Sequence, residues 1–295
     1  MTLDSEGRKL REKIEERTGI QIADIRFYAA GQNAHLYLVD LDDKRRLIGK
    51  ILPQGIEGTG TADLEIEGWM LEYLKRLGKV NVPKVYWYDK TTILMDFIIG
   101  SGQVDESVEL DAAEKLAALH GIHTRFFGLE RDTAISSVVQ PNHFELSWPV
   151  FFRDYRLSPL ATAALEAGMI DATLMIKLTR LGEKLDQYIG NTARPSLIHG
   201  DLWPGNFVVS GGKVAAFIDP AIYYADPEIE LAAIHLYGTF GETFFRRYNE
   251  IRPIAPDFAD ARRDIYSLYP LLVELCRRQT QHAKRIEDIV NRFTG

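Results

Sequence analysis

His199-Gly200-Asp201-Leu202-Trp203-Pro204-Gly205-Asn206, followed further on by Ile218-Asp219-Pro220, is the stretch on which the fold turns. Between the two runs lie Phe207-Val208-Val209 and Val214-Ala215-Ala216-Phe217-Ile218, two apolar segments around Ser210-Gly211-Gly212-Lys213, the pattern of a tight hairpin. Such a hairpin sets Asn206 beside Asp219 and leaves Asp201 five positions ahead on the same loop. One carboxylate to accept a hydroxyl proton, with an amide and a second carboxylate to hold cations, is a donor set suited to phosphoryl transfer. That reaction asks for positioning and charge neutralisation more than for covalent chemistry.

In protein kinases a base Asp precedes a metal-holding Asn by about five positions, and a second metal-holding Asp follows a short hairpin. Asp201, Asn206 and Asp219 keep that order. A lysine on an upstream strand and a glutamate on the next helix should then grip the nucleotide phosphates. Residues Ile22 to Tyr28, Leu36 to Asp40 and Arg46 to Leu52 read as three strands, separated by Gly31-Gln32-Asn33 and Asp42-Asp43-Lys44 turns. Alternation along the third strand places Ile48, Lys50 and Leu52 on one face, with Lys50 a charge among apolar neighbours. In the helix expected from about Ala62 to Leu77, Glu67 falls on the stripe of Leu64, Met70, Leu71 and Leu74, whereas Glu65 shares a side with Gly68, Trp69 and Glu72. A carboxylate on an apolar stripe is costly unless paired, so Glu67 is assigned to Lys50 and Glu65 to solvent. The glycine-rich Pro53 to Gly60 is expected to be a mobile loop. The phosphate-covering turn carries a single glycine; Gly31, Gln32 and Asn33 are placed against phosphate oxygens through backbone amides and the Asn33 side chain. Thr92 to Ile98 reads as a buried strand leaving the sheet, with Met95, Asp96, Phe97 and Ile98 expected where adenine would sit.

Composition narrows the class. The chain has 295 residues, 46% hydrophobic and 26% charged, which suits one soluble catalytic unit of two lobes. A net charge of −7 and a pI near 5.6 argue against nucleic acid as a partner. Cys276 is the single cysteine, so an intrachain disulfide is excluded and a reducing cytoplasm is expected. Met1 to Ile20 reads as a charged amphipathic helix, no apolar run is long enough to span a membrane, and a monomer is expected. Pro220 to Asp226 leads straight into an apolar helix from about Pro227 to Tyr237, leaving no room for the activation loop of a protein kinase. The acceptor is therefore read as a small molecule, or a small group attached to protein. The lobes are expected to meet near Ile99-Gly100-Ser101-Gly102. Further helices are expected at Leu110 to His120, Ser147 to Arg156, Ala161 to Ala167, Ala172 to Ile189, Glu242 to Ile251 and Phe258 to Arg278. His120 is read as a hydrogen-bonded core residue, and Arg277 to Arg292 as a solvated helix.

The chain resembles the fructosamine kinase (ketosamine-3-kinase) family, a branch of the kinase-like fold near the aminoglycoside phosphotransferases. The resemblance is carried by His199 to Asn206, Ile218 to Tyr224, Glu228 to Ala232, Leu236 to Phe240, Phe244 to Tyr248 and Arg263 to Tyr269. Upstream, Leu116 to His120, Gln140-Pro141-Asn142 and Trp148 with Phe151, Phe152, Arg156 and Leu157 fit it too. It implies an α+β, two-lobed protein-kinase-like fold: a small antiparallel-sheet N-lobe with one key helix over residues 1–99, and a larger, mostly helical C-lobe over 100–295. It further implies transfer of the ATP γ-phosphate to the C3 hydroxyl of a ketosamine, free or protein-attached. Asp201 would accept the hydroxyl proton, Asn206 and Asp219 would hold Mg2+, and Lys50, held by Glu67, would bind the phosphates. Trp203 is placed at the sugar, because an aromatic face suits a ring's apolar side, with His199 and Tyr223 assigned to the same substrate region. The chain departs from the family at its lone Gly31 and at Glu230, where an Asp usually precedes Leu-Ala; the second bears on a helix-packing or loop-tethering contact. The alternatives are an aminoglycoside-phosphotransferase-like or other small-alcohol kinase, and a nucleotide-binding pseudokinase. The pseudokinase should lack one of Lys50, Asp201, Asn206 or Asp219, and all four are present.

Overall fold

The computed structural model describes residues 3–31, 33–53, 63–100, 102–190 and 192–294; Gln32, Ser101 and residues 54–62 of the glycine-rich loop lie outside them. The chain opens with α1 (Ser5–Thr18), whose first turn is capped by Asp4 accepting from the Gly7 amide and whose end is closed by left-handed Gly19. Strands β1 (Ile22–Ala30), β2 (His35–Leu41) and β3 (Arg46–Ile51) follow, then α2 (Leu64–Leu77), β4 (Val85–Asp89) and β5 (Thr92–Asp96). The five strands form one antiparallel sheet in the order β1-β2-β3-β5-β4.

The period-2 pattern of β3 divides two apolar layers. Leu47 and Ile51 pack with Leu10 and Ile14 of α1, and a Cβ on Gly49 would lie only 2.8 Å from a Leu10 methyl, so the glycine lets the helix settle on the sheet. Ile48 and Leu52 face the other way, into the core built with Leu64, Met70, Leu71 and Leu74 of α2. Asp63 caps α2 at the Glu65 amide, so the helix begins at Leu64. Strand β4 has no counterpart in the sequence reading: Val-Tyr-Trp-Tyr-Asp is an edge strand in which every residue is half-buried, so it shows no alternation to read.

The larger lobe comprises α3 (Glu106–Leu119), the hairpin β6 (Thr133–Ile135) and β7 (Val138–Gln140), α4 (Trp148–Phe152), α5 (Ser158–Glu166), α6 (Ala172–Gly182) and α7 (Leu185–Ile189). After these come β8 (Ser196–Ile198), the hairpin β9 (Phe207–Ser210) and β10 (Lys213–Phe217), β11 (Tyr223–Ala225), α8 (Glu228–Tyr237), α9 (Glu242–Ile251), α10 (Arg263–Cys276) and α11 (Ala283–Thr294). Asp105, accepting from the Val108 amide, starts α3 a turn before the expected Leu110. The helices expected at Ser147 to Arg156 and Ala161 to Ala167 are one run, joined by a π-helical turn over Arg153–Leu157. Pro159 cannot donate to the Tyr155 carbonyl; the Arg156 guanidinium does so instead, at 2.8 Å. The single helix expected from Ala172 to Ile189 breaks into α6 and α7. The solvated tail is corrected as well: Ile286 and Val290 are fully buried and Lys177 on α6 donates to Asn291, so α11 is an amphipathic helix docked on the lobe. Among the described residues no helix is long and apolar enough to cross a membrane.

Candidate active site

The loop that carries Asp201 and Asn206, the candidate catalytic loop, runs from β8 to β9. Gly200 takes φ +86°, and a Cβ there would collide with the Ala221 carbonyl oxygen, so only glycine lets the loop cross the segment after Asp219. The loop is tethered from beneath by Glu230 of α8, which accepts from the Gly200 amide at 2.7 Å and from the His199 amide at 3.2 Å. His120 Nε2 lies 2.7 Å from the same carboxylate, and its Nδ1 lies 2.7 Å from the Tyr248 hydroxyl. The departure at Glu230 thus leaves the tethering contact in place, and His120 is the hydrogen-bonded core residue its position foretold. The sequence reading named no partner for Glu230, although a carboxylate between Ile229 and Leu231 in an apolar helix is the kind of signal that paired Glu67 with Lys50.

The Asn206 amide nitrogen donates to the Asp201 carboxylate at 2.9 Å and to the Asp201 carbonyl at 2.8 Å. This leaves the amide oxygen as the group available to a cation. The β9-β10 hairpin pairs Phe207 with Phe217, and the Ile218 amide donates to the Asn206 carbonyl, which brings Asp219 alongside as expected. Asp219 sits at φ +50°, a conformation that a non-glycine residue holds only where its surroundings impose it. Lys50 bridges the lobes, 2.7 Å from Glu67 and 3.2 Å from Asp219. Lys50, Glu67, Asp201, Asn206 and Asp219 line one cleft of about 400 Å3, together with Gly31, Asn33, Met95 and Trp203. Asn33 donates to the Ser136 hydroxyl between β6 and β7, at the rim of the cleft. The Trp203 ring lies over Gly205, where a side chain would displace it.

Several assigned residues do not line this cleft. His199 is buried, its Nε2 3.1 Å from the Ile218 carbonyl, and its Nδ1 has no partner among the described residues. Tyr223 is buried beneath the loop, stacked on Phe151 with the Arg156 guanidinium 3.8 Å above its ring. Asp96 accepts from the Lys84 amide and the Tyr86 hydroxyl, and Phe97 packs edge-on against Tyr28; of Met95 to Ile98, Met95 alone lines the cleft.

Burial, reinforced by the charge of Asp219, pushes Asp201 from 3.8 up to about 7, with the Asn206 bond a partial offset. Burial works against the charge of Lys50, but Asp219 and Glu67 outweigh it and hold the ammonium above its ordinary range. Asp219 is likewise held below the usual carboxylate range by Lys50, against burial. Burial drives Glu67 upward, opposed by Lys50. The site therefore separates its carboxyl groups: Asp219 carries charge, and Asp201 has the near-neutral basicity suited to taking a proton.

A two-lobed α+β fold with a strand lysine, a helix glutamate, a catalytic loop and a hairpin aspartate in one cleft defines a kinase-like phosphotransferase. Residues 17–294 match the family model described as fructosamine kinase. The chain belongs to the fructosamine kinase family. It is 30% identical over 240 residues to the probable ketoamine kinase of Enterococcus faecium, covering 79% of this chain and 83% of that one. The probable ketoamine kinase of Escherichia coli is 30% identical over 211 residues, 70% of this chain and 72% of its own. A solved structure from Thermobifida fusca, named as a fructosamine-3-kinase, superposes with a TM-score of 0.85 at 26% identity over 96% of this chain and 97% of that one. An ADP-bound aminoglycoside phosphotransferase shares the fold, with a TM-score of 0.66 at 15% identity over 98% and 97% of the two chains.

Proposed function

We propose that this protein is an ATP- and Mg2+-dependent cytoplasmic ketosamine kinase that phosphorylates the C3 hydroxyl of fructosamine or ribulosamine adducts on amines or protein lysines, beginning their deglycation. The observation that carries the reading is Asp201: a buried carboxyl of near-neutral basicity, oriented by Asn206 and sharing its cleft with the Lys50–Glu67–Asp219 cluster. Asp201 accepts the proton as the C3 oxygen attacks. Lys50, oriented by Glu67, holds the nucleotide phosphates, assisted by Gly31 and Asn33. The amide oxygen of Asn206 and the carboxylate of Asp219 are hard oxygen donors that suit Mg2+. Magnesium-bound ATP supplies the phosphoryl group and the charge neutralisation its transfer needs. Met95 faces the adenine and Trp203 the sugar, whereas His199 and Tyr223 support the loop from below. The test is ATP consumption with Mg2+ and, in parallel, fructosyl-lysine, ribulosyl-lysine or kanamycin, with Asp201→Asn as control. Turnover on a ketosamine and none on kanamycin is expected; turnover on kanamycin alone would replace this reading with an aminoglycoside kinase.

A further inference from the structure

Two polar contacts between residues that line the cleft join the lobes across it: Lys50 to Asp219 at 3.2 Å, and the Asn33 side-chain amide to the Ser136 hydroxyl at 3.0 Å. The first belongs to the chemistry already described. The second ties the turn between β1 and β2 to the tip of the β6-β7 hairpin. Ser136 holds φ +55° at that tip, in the left-handed region where a side chain is disfavoured and glycine is at ease. A serine kept there at a cost, with its hydroxyl on the wall of the cleft, points to a use for the hydroxyl.

The other end of the hairpin is anchored at the chemistry. Thr133 and Gln140 face each other across it and are both buried. Gln140 donates to the Ala221 carbonyl at 3.2 Å and accepts from the Tyr269 hydroxyl at 2.6 Å. Thr133 donates to the Ile222 carbonyl at 3.4 Å and accepts from the Asn142 amide at 2.7 Å. Ala221 and Ile222 follow directly on Asp219-Pro220, and the Ala221 amide donates to the His199 carbonyl at 2.8 Å. One short hairpin therefore runs from the segment that carries Asp219 to the turn assigned to the nucleotide phosphates. A side-chain amide has two N–H groups, so Asn33 bonded to Ser136 keeps one for a phosphate oxygen. With Gly31 as its one glycine, the turn lacks the backbone freedom by which a glycine-rich loop wraps phosphates. An anchor from the opposite lobe supplies the placement instead.

We propose that Ser136 is a positioning residue for the nucleotide: through the Asn33 amide, the β6-β7 hairpin holds the turn over the phosphates and sets it in register with Asp219. The inference rests on the kinase reading above. Its test is calorimetric binding of AMP-PNP with Mg2+, and of adenosine, which has no phosphates, to the full chain, alongside steady-state kinetics. Ser136→Gly deletes the hydroxyl and suits φ +55°. It should weaken AMP-PNP and raise the KM for ATP about fivefold, the size of one neutral hydrogen bond, and leave adenosine affinity and the KM for the ketosamine unmoved. Ser136→Asn, which tolerates the same φ and offers an amide oxygen to Asn33, should recover most of the loss. In an Asn33→Ala background Ser136→Gly should add nothing. Should Ser136→Gly fail to fold, Ser136→Ala makes the same deletion. Unchanged AMP-PNP binding, an equal loss for adenosine, or a loss that persists without Asn33 overturns the inference and leaves the kinase reading standing. A wild type that binds AMP-PNP but turns over no ketosamine overturns the acceptor reading, and the binding comparison still decides the role of Ser136. A wild type that does not bind AMP-PNP overturns both.

Discussion

Asp201→Asn should abolish turnover and, at the same time, stabilise the nucleotide-free fold in a pH-dependent way. Burial and the neighbouring Asp219 raise Asp201 from 3.8 to about 7. A carboxyl raised in the folded state holds its proton more tightly there, so its ionisation opposes folding. The penalty is absent below pH 3.8, grows as pH rises, and is complete above about pH 7. At about 1.36 kcal/mol per pH unit, the interval corresponds to ~4 kcal/mol, and water in an open cleft reduces it to roughly half. Asparagine keeps the shape, still accepts from Asn206 through its amide oxygen, and carries no charge. Thermal unfolding with a chelator present should therefore show Asp201→Asn melting roughly 5 °C above wild type at pH 8, at about 2–4 °C per kcal/mol, with the gain gone near pH 4. A variant less stable at pH 8, or a gain that does not change with pH, would refute the view that Asp201 is a strained, buried charge.

Three further outcomes follow from the same contacts. Activity of the wild type should rise as pH increases through about 7, as Asp201 loses its proton, and then level; a kcat/KM profile flat between pH 5.5 and 8.5 would remove Asp201 as the base. Glu67→Gln leaves Lys50 ion-paired only with Asp219, 3.2 Å away, and should raise the KM for ATP about tenfold; an unchanged KM would mean that Lys50 needs no charged helix partner. Glu230→Ala strips the Gly200 and His199 amides and His120 of their shared acceptor, which should cost about 3 kcal/mol in denaturant unfolding. Glu230→Asp, the residue usual in the family, should cost less, and equal losses in the two would mean that the tether is not what matters.

What the sequence made legible was chemistry enforced over short distances along the chain. The order Asp201, Asn206, Asp219 is read along a loop and one hairpin, and Lys50 and Glu67 are each a charge on an otherwise apolar face. Such features are local, and the fold reproduces them. Tyr223 and His199 stand in the same motif, yet motif membership does not say which way a side chain turns: both turn inward. Arg156 shows why: it is buried against the Pro141 carbonyl, the Asn142 side chain and the Tyr223 ring, and it sits in the π-helical turn that joins what local pattern promised as two separate helices. Glu230 marks the boundary most sharply. The rule that selected Glu67 applies to it unchanged, but the groups it serves are 30 residues away at Gly200 and 110 away at His120. A buried carboxylate announces in sequence that it has partners; only the fold says which, and here the partners make it the support of the catalytic loop.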